Sequence, residues 1–121
     1  MKFVSTEGER DLEKIIETKA QEVKGIEVVK LSNSPHMTQV LAFISTAEEP
    51  HYHDHHDLTF RVLKGCGELY LDGETYLLYE GDIAYIPKKK VHFYVNRAEV
   101  SVLLAVFSPS YDGKDSVKVE L

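Results

Sequence analysis

PHYHDHHD, running from Pro50 to Asp57, puts four of the chain's six histidines at positions 51, 53, 55 and 56. In an extended strand, residues two apart leave the same face, so His51 and His53 can aim at one point. A metal ion needs such convergence, with imidazole nitrogens about 2.0–2.1 Å from it. A second segment, GDIAYIPKKKVHFYVN at Gly81 to Asn96, carries a fifth histidine, His92. The two segments read as strand ends brought together around one metal ion. The rest of the chain should build the barrel that holds them.

Around these segments, from Met37 onward, short β-branched and aromatic runs alternate with turn residues. Strands are expected at Thr38–Thr46, Leu58–Lys64, Glu68–Leu71, Thr75–Tyr79, Ile83–Ile86, Val91–Val95 and Val100–Phe107. Gly65 and Gly67, Asp72-Gly73, Gly81-Asp82 and Pro87 mark the breaks, and Asp72-Gly73 is a strong hairpin signal. Many short strands without intervening helices indicate a sandwich or barrel. Upstream, SNSP at Ser32–Pro35 should turn the chain after a strand at Ile26–Leu31. Leu12, Ile15, Ile16, Ala20 and Val23 fall close to a 3.6 period, which predicts an amphipathic helix over about 9–23. That helix should lie against its own barrel or a sister subunit. The polar tail after Pro109 can pair along a sheet edge or cover a neighbour.

Taken alone, HxH is a weak signal. Joined to Gly81, Pro87, His92 and Asn96, the chain resembles the cupin superfamily. That family's motifs are G-x5-HxH-x(3,4)-E-x6-G and G-x5-P-x-G-x2-H-x3-N. The second motif is met at Gly81, Pro87, His92 and Asn96, with Lys89 where the family has its middle glycine. The first is met at His51, His53 and Gly65. Ser45 stands where the first glycine would be, and Leu58 where the family has a metal-binding glutamate. The resemblance spans roughly Met37 to Phe107. It implies an all-β double-stranded β-helix, or jelly roll, in a single domain over residues 1–121.

The same resemblance implies His51, His53 and His92 as the ligands. Asp57 could replace the missing glutamate only through a shifted backbone, because a regular strand turns it opposite to Leu58. Three neutral imidazoles leave a divalent ion its full charge and several open positions, so it should polarise water or an anionic substrate strongly. Histidine ligands suit iron, nickel, copper, zinc or cobalt. Among cupins, a carboxylate-free site resembles those of thiol and diketone dioxygenases. Oxygen-dependent oxidation of a small molecule is therefore expected ahead of isomerase or lyase chemistry. The rival is a non-catalytic module that binds a small ligand or a metal.

Several other residues are candidates. His55 and His56 are loop residues near the barrel mouth or proton shuttles, and Tyr94 could also manage protons. If Leu58 points inward, Leu58, Phe60, Val62 and Tyr94 should line an apolar pocket beside the metal. Arg61 should then point away. Lys88, Lys89 and Lys90 either steer anions or sit in a solvated turn. His36 should be a surface residue, Asn96 a backbone tie and Cys66 structural.

The net charge of -6 argues against nucleic-acid binding, and no apolar run reaches the roughly 18 residues of a membrane span. With one cysteine an internal disulfide is excluded. A cytoplasmic homodimer using its terminal segments is the expectation.

Overall fold

The computed structural model describes Met1–Leu121. The alternating runs form strands close to their expected bounds. In chain order they are β1 (Lys2–Ser5), β2 (Gly8–Asp11), helix α1 (Leu12–Ala20), β3 (Ile26–Ser34), β4 (Met37–Ile44) and β5 (His51–Tyr52). There follow β6 (Asp57–Lys64), β7 (Gly67–Leu71), β8 (Glu74–Leu78), β9 (Ile83–Ile86), β10 (His92–Asn96), β11 (Ser101–Ser108) and β12 (Val117–Lys118). Two five-stranded sheets result, ordered β12-β5-β10-β7-β8 and β3-β4-β11-β6-β9. Every strand pair is antiparallel. This is the expected jelly roll. No helix is long and apolar enough to cross a membrane.

Strand alternation supplies two apolar layers. Inward residues such as Ile44, Leu58, Phe60, Leu69, Ile86 and Leu103 form the core between the sheets. On the outer face of the second sheet, Leu41, Phe43, Val100 and Val102 pack against Leu12 and Ile16 of α1. The helix therefore lies on its own barrel. It is shorter than the 9–23 span predicted, because Gly8–Asp11 pairs with Lys2–Ser5 as a hairpin. Asp11, extended at φ -84 and ψ 103, caps the helix by accepting from the Lys14 N–H. β3 also runs past Leu31 to Ser34, through a register shift between Lys30 and Ser32. Side-chain bonds from Gln39 to Ser32 and from Thr38 to Asn33 hold this extension against β4, which moves the reversal to Pro35-His36.

At Asp72-Gly73 both residues have positive φ, 48° and 88°, as a two-residue hairpin turn with the hand of the sheet twist requires. Gly67 has a different reason. A methyl group there would run into the ring and hydroxyl of Tyr94 and the carbonyl of Val95. Tyr94 cannot retreat: it is fully buried, and its hydroxyl is 2.9 Å from Ser101 Oγ. Gly67→Ala should therefore cost about 2 kcal/mol, as overpacking does. A urea midpoint equal to that of the wild type would contradict this packing.

The tail after Pro109 pairs along a sheet edge, with Val117 opposite Tyr52 and Lys118 opposite His51. That places its preceding loop over the histidine segment.

Candidate metal centre

β5 and β10 are antiparallel neighbours, and their register sets His51 directly opposite His92. His53 lies just beyond β5, and all three rings are buried. Ring centroids are 4.3 Å apart for His51 and His92, 5.0 Å for His51 and His53, and 5.1 Å for His53 and His92. One nitrogen from each lies within 4.8 Å of the others. The strands thus bring together the histidines that the motifs single out.

The other nitrogens are committed. Nδ1 of His51 meets the Glu49 carbonyl at 2.7 Å, that of His53 the Asp115 carbonyl at 2.6 Å, and that of His92 the Lys90 carbonyl at 3.0 Å. A carbonyl only accepts, so each Nδ1 carries the hydrogen and each Nε2 keeps its lone pair. Nε2 of His92 is buried without a hydrogen-bond partner. Buried polar atoms are nearly always paired. A lone pair held in this way, beside two others, fits a divalent metal.

Burial pushes His92 down to about 4, and the neighbouring His51 and His53 lower it further against the opposing pull of the Lys90 carbonyl. Burial also lowers His53. At neutral pH both are therefore in the form a metal binds. In the metal-free protein, between pH 6.5 and about 4, the unfolded chain takes up a proton that folded His92 refuses. Stability is then full above this window and falls as the pH drops through it, by on the order of 3 kcal/mol. Urea melts of metal-stripped protein at pH 7 and pH 4.5 check this. A flat profile would contradict the burial of a neutral His92.

Asp115, which strand periodicity gave no means of finding, braces the cluster. Its carbonyl holds His53, and its carboxylate accepts from the backbone N–H of Asp54 at 3.1 Å and of His55 at 2.8 Å. The same carboxylate pairs with His56 Nδ1 at 2.5 Å. Burial opposes its ionisation, but these donors outweigh that and hold it at about 2. Groups that orient metal ligands from behind are usually as necessary as the ligands. Tyr111, stacked on Phe107 with ring centroids 4.2 Å apart, stands edge-on to both His53 and His56.

The remaining candidates lie outside the three-histidine cluster, and the expectation of Tyr94 and Val62 as pocket wall is corrected. His56 is a brace rather than a free proton shuttle, since its Nε2 also meets the Ser110 carbonyl, at 2.9 Å. His55 is exposed and contributes only its backbone N–H. Asp57 is not in the converging group, and its carboxylate accepts from the Lys88 N–H. Tyr94 and Val62 sit in the closed core, with Tyr94 turned to Ser101, so neither forms the pocket wall. Leu58 and Phe60 do line the pocket, and Leu58 faces it from the glutamate position. Lys89 has φ 71°, the left-handed backbone that favours the glycine usual at this point of the motif.

The histidines open onto a cavity of about 800 Å³ between the sheets. Sequence reasoning also missed Glu48, which lines it. β5 is too short to pair with all of β10, and Glu48 fills the gap, its Oε1 accepting from the Tyr94 N–H at 2.9 Å. Burial pushes this carboxyl up, against the lowering effects of His51 and the Tyr94 N–H.

A jelly roll with three converging histidines at strand ends defines a class, and the family comparison agrees. The cupin-domain model matches residues 44–107, more than half of the chain, so the protein belongs to the cupin family. An uncharacterised protein of Aquifex aeolicus is 61% identical over 112 residues, covering 93% of each chain. The pectin degradation protein KdgF of Dickeya dadantii is 40% identical over 60 residues, 50% of this chain and 54% of that one. Among solved structures, KdgF from Halomonas sp. superposes with a TM-score of 0.71 at 29% identity, covering 76% of this chain and 86% of that one.

Proposed function

We propose that this cupin is a metal-dependent enzyme that moves a proton on a small oxygen-bearing molecule, in isomerase- or lyase-type chemistry. The observation that carries this reading is one cavity lined by both the three-histidine cluster and the carboxyl of Glu48. His51, His53 and His92 would hold the ion, each oriented by a backbone carbonyl. When bound, a divalent ion there acts as a Lewis acid on a substrate oxygen. Glu48 is the proton carrier: the Tyr94 N–H fixes one oxygen, and the other has no partner within the chain. Burial raises its affinity for a proton, which suits a group that both gives and takes one. Similarity to two KdgF proteins supports catalysis over simple binding.

Oxygen-dependent oxidation stays as the second reading, favoured by a donor set without a carboxylate. The two are separated by incubating metal-loaded protein with 2-oxo acids in D2O under nitrogen. Deuterium uptake next to the oxo group, reduced about 100-fold in Glu48→Gln with metal content unchanged, is the expected result. Glutamine can still accept from the Tyr94 N–H, so the fold should persist. Turnover only with oxygen, indifferent to Glu48→Gln, would reverse the preference.

A further inference from the structure

We infer that the ligand of this cavity is a monoanion with an oxygen-chelating head and an apolar body, such as a 2-oxo or 2-hydroxy acid carrying an aromatic or branched side chain. This rests on the metal reading above and goes on to the shape and charge of what the metal would hold. Val40, Ile44, Phe60, Leu103, Ala105 and Phe107 wall the cavity, so inward alternation from three strands meets in one apolar surface. A sugar acid would press several hydroxyl groups against those walls without partners, and each unpaired group costs binding. An aromatic or branched body would displace water from the same walls at a gain.

Charge limits the ligand to one anionic pole. No arginine lines the cavity. Its cations are Lys30 and Lys118, both exposed at the mouth, and Lys118 is already paired with Glu49 at 2.8 Å. Asp112 also faces the space and would repel a second negative charge there. At the histidine end, by contrast, three neutral imidazoles leave a divalent ion's charge uncompensated. A carboxylate beside an oxo or hydroxyl oxygen satisfies that end, while the walls take the remainder. The volume of about 800 Å³ admits a body of ring size and more.

The test uses full-length protein loaded with Co(II), whose visible spectrum reports both occupancy and ligand exchange. Pyruvate, phenylpyruvate and galacturonate are titrated in turn. Phenylpyruvate and pyruvate share the chelating head, so their ratio isolates the contribution of the walls. Phenylpyruvate should bind at least about tenfold tighter than pyruvate, with galacturonate no tighter than pyruvate. Equal affinity for the two oxo acids, or a preference for galacturonate, would overturn the inference while leaving the metal centre intact. Failure of Co(II) to bind at about one per chain would instead overturn the metal reading itself.

Discussion

Replacing Asp115 with alanine is expected to lower the free energy of unfolding by about 4 kcal/mol and to weaken metal binding by about 10- to 100-fold. The first effect follows from the hydrogen-bond pattern. One carboxylate satisfies two backbone N–H groups and the buried His56 ring, and alanine leaves all three without that acceptor. The second effect is indirect. The Asp115 carbonyl fixes the tautomer and tilt of His53 only while the tail is pinned in place, and the carboxylate is what pins it. Asp115→Asn should lose less, because one oxygen still accepts. Urea titration and competition with a metal-binding dye measure the two effects. Wild-type values for both would show that the tail is an ornament rather than a support.

Leu58→Glu is expected to act with opposite signs in the two states. Without metal it places a carboxyl in an apolar wall, where Leu58 is 7% exposed beside Phe60 and Phe107, costing about 3 kcal/mol. With metal the same carboxyl becomes an anionic ligand, so the ion should bind at least about tenfold tighter and restore stability through linkage. Metal affinity unchanged from the wild type would mean that position 58 does not reach the ion. In the wild type the neighbouring Asp57 lies outside the converging group, its carboxylate accepting from the Lys88 N–H.

What could be read in advance depended on what a two-residue period encodes. Alternation and motif spacing together placed His51, His53 and His92, and turned Leu58 inward and Arg61 outward, because strand geometry alone decides a face. Depth is another matter. Tyr94 shares the inward parity but ends beneath the cavity, where its ring fills the space left by Gly67. The run Asp54 to His56 leaves strand geometry, so parity said nothing of His56. Glu48 and Asp115 were illegible for a common reason. Each acts across a long stretch of chain, Glu48 on Tyr94 and Asp115 on the histidine loop, from segments with no regular period. The N-terminal hairpin was hidden because its residues are almost all exposed, so no apolar pattern marked them.

The most direct measurement is elemental analysis of protein purified without a histidine tag, beside its His92→Ala variant. About one iron, nickel, copper, zinc or cobalt ion per chain, absent from the variant, is the expected result. A full metal complement in His92→Ala, or none in the wild type after exposure to each of these ions, would contradict a three-histidine metal centre.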